Sequence, residues 1–394
     1  MPFVALCVAT AISLIGNELT AIALPWLVLT SLGTPFDAGL VGAAVVLPAV
    51  IGALGGGVVV DRLGGRRTSI AADVTSAVAV AAIPISAMTI GLSVPVIVVL
   101  AFAGALLDAP GVTARQVLVP EVAEPAAIPL DRANAILWSV QNISFMVGPI
   151  AAGLVIVAVG PVNALWIDAA SFMVSAGIVA LAIPATRIRE ATEAVADVLA
   201  GVRFVTRDAL LGAMTLVAAV ANFVGTPLFA VLLPAFALGS SVDAGALGVL
   251  LGAYAAGTVV GSIGYGIAAS RLARRRVLVL GFVGTGLGIG VVALGPPIPI
   301  AIAALLLAGV STGPVNPIAF TVMQERIPPP VRGRAFGAIL GGVLVAAPVG
   351  MIVLGALTEA RGPQAGLAVT GAAFVGVGVV VALWPRFREI DVIT

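Results

Sequence analysis

Four carboxylate side chains interrupt long apolar runs in the first half of the sequence: Glu18, Asp73, Asp108 and Asp168. A carboxylate in apolar surroundings is unfavourable unless it is paired or protonated, so such residues are candidates for taking up and releasing protons. The alternative for each is a structural hydrogen bond to a neighbouring helix. Arg115 follows Asp108 by two helical turns on one face, which makes it a candidate partner for that carboxylate.

A charged turn between the second and third apolar runs is the next candidate. A partly hydrated salt bridge that breaks and re-forms there could bias two conformations by about a few kcal/mol. A glycine before the turn would let helices approach closely, and one inside it would permit a tight bend. The candidate gating residues are Gly57, Asp61, Arg62, Gly64, Arg66 and Arg67. The alternative is that the arginines only determine the orientation of the spans in the membrane.

Composition excludes several kinds of site. The sequence contains no histidine, no lysine and a single cysteine, Cys7. A phosphate-binding P-loop needs lysine, so the chain itself does not use ATP. Imidazole-based zinc sites, multi-cysteine metal sites and intrachain disulfides are excluded as well. We therefore expect no metal, no cofactor and no enzymatic activity, and the net charge of +1 suggests no nucleic-acid partner.

The elements that must position these residues are membrane-spanning helices. Hydrophobic residues make up 61% of the 394 residues and charged residues only 9%, which suits a lipid solvent and not a water-facing surface. Short polar loops divide the apolar runs into twelve predicted spans, at 3–30, 38–60, 68–90, 95–118, 133–158, 162–183, 209–237, 244–268, 277–295, 298–321, 335–358 and 365–385. The first run is too long for a cleavable signal peptide.

The arginines predict the orientation of these spans. With twelve spans, every one of the 19 basic residues except Arg361 falls on the same side. The positive-inside rule makes that side cytoplasmic, so both termini are expected inside a cytoplasmic (plasma) membrane.

An internal repeat divides the chain in two. The charged turn starting at Gly57 matches the segment starting at Gly266, and Thr113-Ala-Arg-Gln116 matches Thr321-Val-Met-Gln324 at nearly the same offset. In the second copy Ser270 replaces the acid, so we expect the first copy to carry the gate. The sequence thus predicts an all-α membrane protein with two pseudo-symmetric six-helix halves around a central cavity. The expected boundaries are 1–183 for the first half, 184–208 for a cytoplasmic linker and 209–394 for the second half.

Five amides within the predicted spans are candidate cavity residues: Asn17, Gln141, Asn142, Asn222 and Asn316. Amides can contact a substrate, but they also hold helices together. Asn316 is the repeat equivalent of Asp108, which suggests that coupling runs through the first half.

The charged turn resembles the G-x-x-x-D-R-x-G-R-[KR] signature of the major facilitator superfamily. Further segments resemble its drug- and siderophore-exporter branch, among them Ala23-Leu24-Pro25-Trp26 and Gln324-Glu325-Arg326-Ile327-Pro328. Gly148, Pro149 and Gly153 resemble that branch's antiporter motif G-x-x-x-G-P-x-x-G-G, with Ser144 and Ala152 in place of two glycines.

The resemblance implies transport by alternating access, in which two halves rock about a central site. Spans 1 and 4 line the cavity in this superfamily, so Glu18 and Asp108 become the preferred proton-coupling residues. We expect a secondary transporter, sufficient as a monomer, that exports amphipathic small molecules against inward proton flow. The alternatives are proton-coupled or facilitated uptake of a small solute and, from a different class, a non-transporting membrane sensor or scaffold.

Overall fold

The computed structural model describes residues 2–184, 202–240, 243–268, 272–328 and 331–391, apart from the side chains of residues 49–50, 52–58, 61, 131, 135 and 332–334. All regular secondary structure in these ranges is helical. The first six long helices are α1 Pro2–Leu27, α2 Pro35–Leu63, α3 Gly65–Thr89, α4 Val94–Ala123, α5 Leu130–Val159 and α6 Pro161–Ala182.

The second part of the chain repeats this pattern with two interruptions. Its helices are α7 Ala209–Pro227, α8 Leu233–Gly239, α9 Ala244–Ala268, α10 Arg274–Ala293, α11 Ile298–Thr312, α12 Val315–Arg326, α13 Arg332–Arg361 and α14 Pro363–Leu383. A 3₁₀ helix, Pro385–Asp391, follows. Helices α7 and α8 belong to one span, and α11 and α12 to another.

The prediction of twelve spans is confirmed. Within the described residues, 11 helical segments are long and apolar enough to cross a membrane. The twelfth span corresponds to α2, of which Pro35–Pro48 is described as a shorter apolar stretch within a helix of 29 residues. The predicted ends are close to the observed ones, and α4 and α12 continue furthest beyond them.

Local chemistry explains where several helices begin and end. Thr34 and Asp37 form a capping box at the start of α2, in which each side chain accepts the other's backbone N–H. Gly64 separates α2 from α3 at φ 82, a left-handed conformation that a side chain would disfavour. The tight turn expected at Gly64 is therefore present.

Two helices end in a wider π turn. Val28–Leu32 follows α1, and Leu228–Leu232 follows α7. Each π turn comes shortly after a proline, Pro25 or Pro227, which removes one N–H from the helical ladder. Such turns are frequent at functional sites, and nothing in the hydrophobic pattern predicted them.

The chain forms two compact units. The first comprises Met1–Thr192 together with Asp243–Gly248, and the second comprises Glu193–Val242 and Val249–Thr394. In the first unit, α1 packs against α5 and α6, and α4 packs against α2 and α3. In the second, α10 packs against α11 and α14, and α7 against α13. Most of the linker expected at 184–208 lies outside the described residues.

The second unit has an ion-pair network where α7 begins. Asp208 caps α7 by accepting the N–H groups of Leu210 and Leu211 at 3.0 and 3.1 Å, and its other oxygen accepts from Arg326 at 2.7 Å. Arg326 also pairs with Glu389 of the 3₁₀ helix at 2.9 Å. Partial burial acts to raise the pKa of Asp208, but the hydrogen bonds from Arg326 and the backbone outweigh it and hold that pKa below its usual range.

Candidate functional site

The candidate site is a polar cluster inside the first unit, built on one face of α1. Ser13, Asn17 and Thr20 follow each other at helical spacing, so their side chains leave α1 in the same direction. Ser13 meets Arg115 of α4, Asn17 meets Asp108 of α4, and Thr20 meets Asp168 of α6. Sequence reasoning singled out Asn17 alone. The repeating polar spacing at 13, 17 and 20 is the signal that could have found the other two.

Asp73 and Arg115 form a buried salt bridge at the centre of this cluster. Asp73 is fully buried, and Arg115 is 3% exposed. The Arg115 guanidinium donates a short hydrogen bond to Oδ1 of Asp73. It also donates to the Ser13 and Ser175 hydroxyls at 3.1 and 3.4 Å, while Ser175 donates to Oδ2 of Asp73 at 2.8 Å. The pair is therefore held from four helices, α1, α3, α4 and α6.

Asp108 is only partly satisfied. Its Oδ2 accepts from Nδ2 of Asn17 at 3.2 Å, while its buried Oδ1 has no hydrogen-bond partner within the described part of the chain. The direct contact with Arg115 suggested by the sequence is not made in this structure. Seven residues correspond to a rise of about 10 Å along a helix, so Arg115 instead reaches Asp73 on the neighbouring α3. The charges of Asp108 and Arg115 still interact electrostatically.

Asp168 is fully buried on α6 and is bound by hydroxyl groups. Thr20 donates a short hydrogen bond to its Oδ2, and Ser171 donates to its Oδ1 at 3.2 Å. Within the described residues no arginine forms a salt bridge with Asp168. Ser171 and Ser175 are one helical turn apart, and nothing in their sequence context marked them, because serines are common on packed transmembrane faces.

Glu18 lies apart from these contacts, on α1 where it meets α5. It is half-buried and makes no hydrogen bond within the described residues. Gly148 of α5 leaves room for it, since a Cβ atom at that position would lie 2.5 Å from Cγ of Glu18. One glycine of the antiporter-type motif thus directly adjoins a candidate coupling residue.

The remaining motif residues pack tightly on α5. Pro149 and Gly153 are buried. A Cβ atom at Gly153 would lie 2.6 Å from the carbonyl oxygen of Ala244 and 2.9 Å from Cα of Gly248, both within the segment that belongs to the first unit. The motif therefore permits close backbone contact.

The charged turn is described in part. The surroundings of Gly57 and the side chain of Asp61 lie outside what the structure describes, so the close approach at Gly57 and the salt bridge between Asp61 and Arg62 stay predictions. Arg62 and Arg67 are exposed. Arg66 donates to the carbonyl oxygen of Ala180 at 2.5 Å, near the end of α6, where a helix dipole favours a positive charge.

The other candidate amides are dispersed. Asn142 is exposed and donates to the carbonyl of Trp138 in its own helix at 2.8 Å, and Gln141 is half-buried. Asn222 donates to the carbonyl of Val343 on α13 at 2.9 Å, a contact that holds two helices together. Asn316 is exposed on α12. Within the described residues, Asn17 is the one amide of the five with a hydrogen bond to the carboxylate cluster, which consists of Asp73, Asp108 and Asp168.

Comparisons with known proteins agree with this architecture. A sequence model of the family described as transmembrane secretion effector matches residues 2–393. The chain is 34% identical to the multidrug efflux pump Tap of Mycolicibacterium fortuitum over 95% of this chain and 94% of that protein. It is 32% identical to the pump Tap of Mycobacterium tuberculosis, over 97% and 93% of the two chains.

A solved structure also resembles this fold. The nucleoside transporter NupG superposes with a TM-score of 0.78 at 14% identity, covering 98% of each chain. This likeness concerns the fold, whereas the match over nearly the whole sequence concerns the family. The chain is therefore a multi-pass membrane transporter that belongs to the transmembrane secretion effector family of the major facilitator superfamily.

Proposed function

We propose that this protein exports amphipathic small molecules, driven by protons that move inward through the first unit. The relatives at 32–34% identity are named multidrug efflux pumps, which supports efflux of drug-like compounds. The observation that carries the coupling proposal is the buried oxygen of Asp108 without a partner among the described residues, beside the salt bridge of Asp73 and Arg115.

Charge counting explains why this cluster suits proton transfer. Asp108 interacts electrostatically with Asp73 and with Asp168. Arg115 forms the salt bridge with Asp73. Three ionised carboxylates and one guanidinium would leave uncompensated negative charge in a low-dielectric interior. Protons can neutralise it, and the chain has no lysine or histidine to supply a side-chain cation other than arginine.

Arg115 would link proton binding to conformation. A proton on Asp73 would weaken its salt bridge and free the guanidinium to approach Asp108, whose Oδ1 is available. Such an exchange gives α3 and α4 two alternative arrangements, which is what a population shift between two states requires. We assign the switch to this exchange, with Glu18 and Asp168 as further proton-binding candidates.

The protein would work by alternating access, with its two repeat halves moving between two states. The gating residues of the charged turn and the motif glycines would act in that movement. We further propose that the arginine-rich side is cytoplasmic, that both termini lie there, and that one chain is sufficient. Glu18, half-buried and without a hydrogen-bond partner in the described part of the chain, suits weakly cationic substrates.

Proton flux in reconstituted vesicles tests this proposal. Under an imposed pH gradient, hydrophobic cations, macrolides and siderophores are screened for substrate-dependent proton movement. Glu18→Gln and Asp108→Asn are compared with the parent, and Glu124→Gln, which changes an exposed carboxylate after α4, is the matched control. We expect the control to keep full flux and at least one of Glu18→Gln and Asp108→Asn to lose it while remaining folded.

Other outcomes redirect the assignment. If Glu18→Gln and Asp108→Asn both keep full flux, the assignment to these two acids and the exchange of Arg115 between Asp73 and Asp108 are wrong. Asp73 or Asp168 then becomes the coupling residue. If no compound moves protons in the parent, the export proposal gives way to uncoupled or inward transport of a small solute.

A further inference from the structure

A groove of about 390 Å³ lies in the first unit where the start of α1 meets the start of α5. It is lined by Phe3, Val4, Cys7, Ile128, Arg132 and Ile136. Five of these six side chains are apolar or weakly polar. Cys7, Ile128 and Ile136 pack against a buried hydrophobic cluster that includes Phe3 and Leu137. Val4 is 54% exposed, so the groove is open at the surface of the described part of the first unit.

The depth of the groove matches the membrane boundary. By length and composition, one spanning segment begins at Pro2 and another at Arg132, so the groove lies at the ends of two spans. In a bilayer, span ends are expected near the headgroups. Its apolar residues continue into the span, while Arg132 stands at the end nearest the headgroups. A long apolar chain with a polar end would fit this arrangement.

Two independent features favour an anionic end. The Arg132 side chain is exposed, and an arginine fork binds phosphate oxygens well. Arg132 also lies in the first turn of α5, a helix of 30 residues that starts after Pro129 without a side-chain cap. The first N–H groups of a helix and its dipole attract anions.

We propose that this α1–α5 groove binds an anionic glycerophospholipid of the adjoining leaflet. The headgroup phosphate contacts Arg132 and the start of α5, and an acyl chain covers Phe3, Val4 and Cys7. A free phosphate ion would leave the apolar floor uncovered. A zwitterionic lipid such as phosphatidylcholine offers Arg132 the same phosphate, but its choline cation weakens the attraction to the arginine and to the start of α5, so an anionic lipid is favoured. The site is separate from the carboxylate cluster and does not depend on the transported substrate.

Cys7 provides a direct readout, because it is the chain's one cysteine and lines the groove. The purified full chain in neutral detergent is treated with a maleimide while phosphatidylglycerol or phosphatidylcholine is titrated in. Cys7→Ser serves as the labelling blank. We expect phosphatidylglycerol to slow alkylation at lower concentration than phosphatidylcholine does, and native mass spectrometry to detect the retained lipid.

Arg132→Gln should weaken protection by phosphatidylglycerol about fivefold, the equivalent of the roughly 1 kcal/mol that one basic residue near an anionic bilayer surface contributes. Arg203→Gln, which removes another exposed arginine, should leave it unchanged. Asp131→Asn removes the acidic neighbour of Arg132 and should strengthen protection, since it makes the locality more positive.

Equal protection by the two lipids in the parent and in Arg132→Gln would mean general coverage by lipid, and the proposal would fail. Equal protection by a fatty acid would also overturn it, because the occupant would then be any anionic amphiphile. Absence of protection by any lipid, or weaker protection in Asp131→Asn, would likewise contradict a headgroup phosphate at Arg132.

Discussion

Removing the carboxylate of Asp73 should expose how strongly the first unit depends on its buried salt bridge. In Asp73→Asn the side chain keeps its shape, but Arg115, only 3% exposed, loses its ionic partner. Two serine hydroxyls and the amide oxygen of the asparagine then remain as its acceptors, and none of them is charged. Breaking one side of a buried pair costs about 3–5 kcal/mol, because the other charge is left uncompensated. Since the amide oxygen of asparagine can still accept from the guanidinium, we expect about 3 kcal/mol.

The measurement is the free energy of unfolding of the detergent-solubilised chain, followed by tryptophan fluorescence during titration with a denaturing detergent. Asp73→Leu, Arg115→Met and the double variant Asp73→Leu/Arg115→Met form a separate double-mutant cycle. We expect the double variant to recover much of the loss, because two apolar side chains leave no buried charge. The exposed-site variant Glu124→Gln should change the free energy by less than about 0.5 kcal/mol.

Two results would refute this reasoning. A loss below about 1 kcal/mol in Asp73→Asn would refute this magnitude, because Arg115 would then transfer to another acceptor at little cost, as it would to Asp108 in the proposed exchange. Additive losses in the double variant would mean that the two side chains act independently, so the observed contact would contribute no coupling energy.

Three further predictions concern other contacts. Gly148→Ala places a methyl group 2.5 Å from Cγ and 2.8 Å from Cβ of Glu18 and should destabilise the chain by about 1–3 kcal/mol. In a Glu18→Gly background, which removes both atoms, the same substitution should cost little, and a full cost there would place the strain elsewhere. Thr20→Val removes a donor to Asp168 and should reduce the unfolding free energy by about 1–3 kcal/mol, whereas an unchanged value would show that the hydrogen bond is dispensable. Asp208 has a depressed pKa when folded, so its stabilisation is present above its unfolded pKa of about 3.9 and is lost as the pH falls through the folded value. Asp208→Asn should remove that pH-dependent part in unfolding titrations, and an identical acid profile in the variant would contradict it.

The helices were the most predictable feature, since each apolar run carries its own length and its own flanking glycines, prolines and charges. Gly64 shows how local this information is: its turn follows from glycine's tolerance of a positive φ. The π turns after α1 and α7 were not predictable in this way. They change the hydrogen-bond ladder without changing the hydrophobic pattern.

The site was only half predictable. The four carboxylates could be chosen because an acid in an apolar run is unusual wherever the run is placed, and Glu18, Asp73, Asp108 and Asp168 are all found at helix contacts in the first unit. Their partners could not be chosen. Ser13 and Thr20 are ordinary residues of a transmembrane helix until α4 and α6 pack against them.

Arg115 illustrates the boundary between the two kinds of information. Along the chain, the acid at helical spacing from Arg115 is Asp108. Helical periodicity predicts contacts only between residues of the same helix. In the folded unit Asp73, 42 residues earlier, is the acid it binds, because α3 crosses α4 at that level. The length of each apolar run and the positions of the arginines determine the spans and their expected orientation, and both can be read from one segment at a time. The pairing of buried charges depends instead on which helices pack together and on which residues lie at the same level along their axes.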